Sequence, residues 1–507
     1  MNTLPEMLAA VAQANTARPA VVTRDRQITY GELWRRVSAL AADLARQGVR
    51  PGDRVGLLLP NSPEFVLAYF AAATAGAVVV PMNEGYQQNE LLYFIDECGV
   101  SILIAAQQFQ PLCEAVLPRC QRPCRALWAE AWTAGGGAAP ADAPPIDPKS
   151  PAMHQFSSGS TGRPKRISRT HANLMLELNS LRQTFGSGPE DRFLGVAPFS
   201  HVNGLTRSML SSLRAGAALY PLPRYDRQLA ADTVEQARIT VFIAVPFMFS
   251  TLAQSNFRRA PDFSSLRLCV SASAPMPRKF NLLFHEKFGR HVRQLYGSTE
   301  TGTISLNLLP DVMAPGAGRS DTLDSVGTPI PGMRAEVFRD DGQPAAPGEL
   351  GEFAVAGRQV VAGYDDLPEA NRESFRDGFF FTGDLGRKEA DGMLYLVGRK
   401  KFFINKGGFK IDPREIEELL EGHPQVEEVV VVGVPSPYGD ERVKAVIVAR
   451  GPVAEADIVS FCRGKIADFK IPSQVEFRDS LPKSPTGKIR RAMLVSPPQA
   501  SAEESGA

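Results

Sequence analysis

The chain is short of the features that would place it outside ordinary globular proteins. Lys plus Arg number 56 and Asp plus Glu 55, a formal charge of +1, so neither sign dominates. A nucleic-acid binder shows a basic stripe or domain, and that class is excluded as a first reading. The longest apolar stretches, such as Ala71 to Pro81, fall well short of the about 20 residues that span a bilayer. No integral membrane contact is expected. The N-terminal stretch has no basic segment followed by a long apolar core, so no secretory signal is expected and the cytoplasm is the expected compartment. Cysteine is sparse: six residues, with no CxxC pair and no His close in sequence to Cys113, Cys120 and Cys124. Reduced thiols are the expectation, rather than a metal site or a disulfide framework. No internal repeat is present.

What is present is length and alternation. With 507 residues and 44% hydrophobic content, the chain has material for two or three lobes of ordinary globular composition. Short apolar runs (Ala20–Thr23, Val55–Leu59, Ala77–Pro81, Thr240–Pro246, Leu266–Ser271) alternate with helical segments, among them 28–47 and 64–75. This is an α/β pattern with strands buried on both faces. The Gly/Ala/Pro-rich stretch 134–150 is a surface connection. From about Glu336 the pattern turns β-rich. After Gly398 a last segment has its own α+β order, with helices expected over 413–421 and 455–467 and strands over 426–434 and 443–449. The tail after Val495 is small, polar and expected to be disordered. The fold class is therefore α/β: a large N-terminal domain of α/β layers with a β-rich subdomain, and a small α+β C-terminal domain.

The strongest local pattern is Ser157-Ser158-Gly159-Ser160-Thr161-Gly162-Arg163-Pro164-Lys165, after a strand at 153–156. Small residues let several backbone N–H groups approach an anion, hydroxyls add donors, and Lys165 adds a fixed charge. It is not the GxxxxGK[ST] loop, since Pro164 precedes the Lys. By itself the stretch is read equally well as a flexible surface loop. Four further stretches follow: Tyr296-Gly297-Ser298-Thr299-Glu300-Thr301, after a strand expected over 292–295, Phe381-Thr382-Gly383-Asp384, Gly398-Arg399-Lys400-Lys401-Phe402, and Pro482-Lys483-Ser484-Pro485-Thr486-Gly487-Lys488. Each alone reads as a turn or a solvated basic end.

Together and in this order they resemble the motifs of the adenylate-forming superfamily, which includes acyl- and aryl-CoA synthetases, peptide-synthetase adenylation domains and firefly luciferase. The resemblance covers roughly residues 15 to 492 and is most like a stand-alone acyl- or aryl-CoA ligase. It implies a large domain over 1–398, a hinge at 399–401, a small mobile domain over 402–495 and a tail over 496–507. It also implies ATP, Mg²⁺ and coenzyme A as cofactors, and a small carboxylic acid as substrate.

The resemblance implies roles as well. Ser157, Ser158, Gly159, Ser160, Thr161, Gly162 and Lys165 hold the departing phosphates. Ser273, Ala274 and Pro275 flank the adenine, on which Tyr296 stacks, beside Gly297 and Ser298. Thr299 touches the α-phosphate and Glu300 holds Mg²⁺, as a hard carboxylate ligand should. Asp384 takes the ribose hydroxyls and Arg399 reaches the nucleotide. Lys401 is the hinge residue, Lys406, Gly407 and Gly408 line the thiol's tunnel, and Lys488 bridges the carboxylate and the α-phosphate. Two positions depart from the family: Arg166 replaces the usual Gly after the Lys, and Phe402 replaces the Asp that commonly follows the hinge residue.

The chemistry needs these groups. A carboxylate is a poor acyl donor until its attack on the α-phosphate makes a mixed anhydride. Two anions then approach each other, which demands positive charge and orientation. In the resembled family the pocket region is Pro198 to Gly204, so His201, Val202, Asn203 and Gly204, with Ser271, Gly297, Thr301 and Gly302, are expected around the acid. His201 gates or lines the pocket. Amino-acid-activating members carry an Asp where Val202 stands, and a buried ammonium without a carboxylate is costly. An apolar fatty or aromatic acid is expected. The acceptor is expected to be coenzyme A, with a carrier protein as the alternative. A regulatory nucleotide-binding protein that had lost the chemistry is the contrasting class; the presence of Lys165, Glu300, Asp384 and Lys488 speaks against it.

Overall fold

The computed structural model describes residues 1–134, 145–157, 164–308, 320–402, 404–406, 409–435, 441–463, 465–466, 470–483 and 489–495. The chain divides into two compact units. One comprises Met1–Glu336, Ala354–Phe381 and Asp391–Leu394, the other Val337–Phe353, Thr382–Ala390 and Tyr395–Ala507. The expected hinge at 399–401 falls inside the second unit.

The first unit is built on two large sheets. A six-stranded sheet runs in the order Arg125–Trp128, Ile102–Ala105, Arg54–Leu58, Val78–Pro81, Pro151–Ser157, Lys165–Thr170. Its strands pair in parallel except for the last, which folds back antiparallel as a hairpin. A nine-stranded sheet places Val292–Ser298, Leu268–Ser271, Val241–Ala244, Arg192–Gly195 and Ala218–Pro221 side by side in parallel. The central strands are buried along their whole length, with all four residues of Ile102–Ala105 and of Val241–Ala244 inside. This is why they read in the sequence as continuous apolar runs rather than alternating ones. Helices cover the faces and end where local chemistry stops them. Ser62 caps Pro63–Thr74 by accepting from the Phe65 N–H, and Gly186 closes His171–Phe185 in the left-handed conformation.

The second unit includes a sheet in which Val426–Pro435 pairs antiparallel with Glu441–Ala449, which pairs in parallel with Gln474–Phe477. Helices Pro413–Glu421 and Glu455–Cys462 supply Ile416, Leu420, Ile458 and Cys462 to its core. The large α/β domain followed by a smaller α+β domain is the expected fold class.

Local expectations shift in three places. The helix expected from residue 28 starts at Tyr30, because Gln27–Thr29 pairs with Pro19–Val22 and Thr29 serves as the cap. The helix expected over 455–467 stops at Cys462, where Arg463 turns extended (ψ 134°). The strand expected over 292–295 runs on to Ser298, held by its hairpin partner Gly302–Leu306. None of the six cysteines is in a disulfide, and Cys113, Cys120 and Cys124 pack in an apolar cluster where burial pushes the Cys124 thiol up to about 12. Among the described residues no group of three or more His, Cys, Asp or Glu could hold a metal, and no helix is long and apolar enough to cross a membrane.

Candidate active site

Two hairpins of the first unit carry the described residues of the first two motifs. In the first, Ser157 pairs with Lys165 and Phe156 with Arg166, so the Ser/Gly loop springs from the neck of a β-hairpin. Ser158, Gly159, Ser160, Thr161 and Gly162 lie outside the described residues. In the second, Tyr296 pairs with Ser305 and Ser298 with Gly302, with a bulge between Tyr296 and Gly297. The tight turn at 299–301 is closed by Thr301, whose hydroxyl accepts from the Ser298 N–H at 3.1 Å. Thr299 is half-buried, and Glu300 is 7% exposed.

The residue that brings the hairpins together was not expected from sequence. Tyr364 is buried, its ring centroid 4.5 Å from Lys165 Nζ, and its hydroxyl donates to Glu300 Oε1 at 3.0 Å. Its placement is fixed by Asn371, which accepts from the Tyr364 N–H at 2.7 Å and donates to its carbonyl at 2.9 Å. The sequence signal was slight: an aromatic after Gly363, in a stretch that otherwise reads as turn. Arg166 is accounted for by the same stretch. Its guanidinium meets Asp365 at 3.0 Å and Asp366 at 2.6 Å, and donates to the Glu97 carbonyl at 2.6 Å. Its added charge is thus engaged by carboxylates.

A buried polar lattice lies behind the second hairpin. Glu177 accepts from Arg169 Nη1 at 2.8 Å and from the Thr303 N–H and hydroxyl at 2.8 and 2.9 Å. Arg207, which burial pulls down to about 10, donates to the Thr303 hydroxyl at 3.1 Å and the Gly302 carbonyl at 3.4 Å. This lattice explains two expected pocket glycines. Gly302 sits at φ +66° with Glu177 where a Cβ would stand, and a Cβ on Gly297 would meet the Gly302 carbonyl and the Arg207 guanidinium. Gly204 likewise packs on the Ala197 and Pro198 carbonyls.

The acyl-pocket candidates gather at the C-terminal ends of the parallel strands, where open α/β sheets place ligands. His201 and Val202 are half-buried. His201 Nε2 lies 3.0 Å from Asn83 Nδ2, and since Asn83 Oδ1 already accepts from the Gly85 N–H, the Asn83 amide donates to the ring. Burial pushes the His201 pKa down to about 4, so the ring is neutral, with its proton on Nδ1. Asn203 opens a buried π-helix, Asn203–Leu210, and donates to the Ala244 carbonyl at 3.1 Å. Asn203 Oδ1 and the Ser271 hydroxyl are buried with no hydrogen-bond partner among the described residues. Ser273, at φ +76°, Ala274 and Pro275 form an exposed turn after strand Leu268–Ser271.

In the second unit, Asp384 is 7% exposed and Oδ1 accepts from Arg399 Nε at 2.7 Å. Gly383 turns the chain at φ +72°, and its N–H donates to Glu352, which also meets Lys400 at 3.0 Å. The Phe402 ring lies 5.7 Å from the Arg491 guanidinium, which gives this departure from the family a packing partner. Lys406 ends strand Ile404–Lys406. The side chains of Lys401 and Lys406, and all of Gly407, Gly408 and Lys488, lie outside the described residues.

Residues 8–365 match the family model for the AMP-binding enzyme, and residues 415–488 match that for the AMP-binding enzyme C-terminal domain. The chain belongs to the AMP-binding enzyme family. The long-chain-fatty-acid–CoA ligase of Bacillus subtilis (strain 168) is 31% identical, with 97% of this chain and 94% of the relative covered. A feruloyl-CoA synthase of Amycolatopsis sp is 35% identical, with 91% and 92% covered. Among solved structures, ATP-bound MatB from Rhodopseudomonas palustris superposes with a TM-score of 0.87 at 30% identity, covering 97% of this chain and 98% of that one. This AMP-binding enzyme is of the AMP-forming acyl-CoA synthetase class, whose chemistry is ATP-dependent acyl-adenylate formation and thioester formation with coenzyme A.

Proposed function

We propose that this enzyme activates an apolar fatty or aromatic carboxylic acid and passes the acyl group to coenzyme A. The observation that carries the reading is the meeting of Lys165, Tyr364 and Glu300, one cation and one carboxylate held by a single ring. In this reading Lys165 takes the charge of the departing phosphates, Tyr296 stacks on adenine, and Thr299 contacts the α-phosphate. Asp384 and Arg399 bind the ribose. Lys488 steadies the reacting oxygens, so that the acid's carboxylate meets the phosphorus in line.

Mg²⁺ fits at Glu300. The donor set there is a single buried carboxylate, and Mg²⁺ usually takes one or two protein carboxylates while substrate phosphates and water fill the rest. When bound, it supplies charge neutralisation on the phosphates.

The apolar acid is supported by what faces the pocket. His201 is neutral and Val202 carries no charge, so neither pairs with an ammonium or a second carboxylate. Arg207, on the pocket helix, already donates to the second hairpin. The relatives named for long-chain fatty acid and ferulate agree in kind.

The test is pyrophosphate release from ATP with fatty, aromatic, amino and dicarboxylic acids, with and without coenzyme A. Release with fatty or aromatic acids that accelerates with coenzyme A and yields a thioester supports the proposal. Preference for a dicarboxylate or amino acid refutes the substrate class. An adenylate that coenzyme A does not consume refutes the acceptor and points to a carrier protein.

A further inference from the structure

Residues 358–366 form no regular element, yet they are bonded to both hairpins. At one end Gln359 Nε2 donates to the Thr301 and Thr303 carbonyls at 3.1 and 2.7 Å, and the Val361 N–H donates to the Glu300 carbonyl at 3.0 Å. At the other end the Asp365 N–H donates to the Arg166 carbonyl at 2.9 Å, and Asp365 Oδ2 accepts from the Ser168 hydroxyl at 2.7 Å as well as from Arg166. Strand Lys165–Thr170 is the edge of its sheet, so this segment supplies a backbone partner the sheet lacks there. Successive strand residues point to opposite faces. Lys165 and Arg166 therefore hold the segment from two sides, Lys165 against the Tyr364 ring and Arg166 on Asp365 and Asp366.

We propose that residues 358–366 are a strap that sets the spacing between the two phosphate-handling hairpins, and that Arg166 is its positioning residue. By clasping Asp365 and Asp366, Arg166 holds Tyr364 where one face meets Lys165 and the hydroxyl meets Glu300. The flat fork of a guanidinium meets two carboxylates in a fixed geometry, which the family's Gly cannot do and which a Lys ammonium, a point charge on a flexible stem, does less rigidly. The inference rests on the reading of Lys165 and Glu300 as groups for the phosphates and the metal.

The experiment uses the full-length enzyme and steady-state pyrophosphate release, with thermal unfolding recorded for every variant. Arg166→Gln is expected to raise KM for MgATP about tenfold, the size expected for losing a two-carboxylate clasp, while KM for the acid stays within about twofold. Asp365→Asn, nearly isosteric, is expected to move KM for MgATP in the same direction. In a Tyr364→Leu background Arg166→Gln is expected to add little, because Arg166 acts through that ring. Equal changes in both KM values, or effects that multiply in the double variant, would overturn the strap. So would an unchanged KM for MgATP in Arg166→Gln while Lys165→Ala and Glu300→Gln are impaired. If Lys165→Ala and Glu300→Gln themselves leave MgATP use intact, the reading of the site fails instead.

Discussion

Replacing Glu177 by Ala strikes the lattice beneath the second hairpin, and its cost follows from the surroundings. Glu177 and Arg169 are both 0% exposed. The carboxylate also accepts from the Thr303 N–H and hydroxyl, and Arg207 is buried nearby. Removing one member of a buried ion pair strands its partner in low dielectric and typically costs about 3–5 kcal/mol. The orphaned Thr303 N–H alone represents about 1–3 kcal/mol, although the two losses overlap and do not add. A value near the top of the first range is expected, because two guanidiniums lose their counter-charge. With roughly 1.3 °C lost per kcal/mol in a unit of this size, the first thermal transition falls by about 4–6 °C. Differential scanning calorimetry of Glu177→Ala beside the wild type gives the number. The control is Arg169→Met with Glu177→Leu, which removes both charges and is expected to cost less than Glu177→Ala alone. A loss under about 1 kcal/mol, or a double variant worse than the sum of the singles, would refute the argument that an unpaired buried charge sets the cost.

Three further outcomes are expected. His154, His171 and His201 are each pushed down to about 4 by burial, so the unfolded chain takes up protons near pH 6.5 that the folded chain refuses until about pH 4. Their contribution to stability is complete above pH 6.5 and is lost as pH falls toward 4. Urea midpoints should therefore decline from pH 7 to pH 5, and the pH–rate profile should show no inflection from His201 in that interval. Gly302→Ala forces a side chain into the left-handed region and onto the Glu177 carboxylate, and is expected to lower the urea midpoint and activity together. Asp384→Asn removes a charge that faces Arg399 at 2.7 Å, and is expected to raise KM for ATP several-fold with little change in KM for the acid. Equal shifts in the two constants would place Asp384 outside the nucleotide site.

The motif residues were legible because each cluster is contiguous in sequence and keeps its chemical type, with Lys165 after a Ser/Gly run and Glu300 after Tyr296. Several buried strands were legible too, since burial on both faces leaves continuous apolar runs such as Val55–Leu59 and Thr240–Pro246. Tyr364, Asn83 and the pair Arg169–Glu177 were not. Their importance lies in partners brought close only by the fold, as with Asn83 and His201, and nothing in their immediate neighbours differs from a turn or an exposed helix. Arg166 was legible only as a departure; its carboxylate partners lie in another part of the chain. The helix expected to begin at Ile28 failed for a related reason. Pairing of Gln27–Thr29 with the strand before it outweighed the apolar periodicity.

The π-helix Asn203–Leu210 has His201 just before it and Arg207 inside it, so it links the segment that carries His201 to the hairpin that Arg207 grips. An α-helix advances about 100° per residue, from 3.6 residues per turn. Deleting one residue between 202 and 206, and so rewinding the coil to α geometry, would swing the His201 end round by about that angle while Arg207 kept its hold. In the proposed reading of the site, a change in length alone would re-aim the acyl end, while the Arg207 contacts would hold the second hairpin.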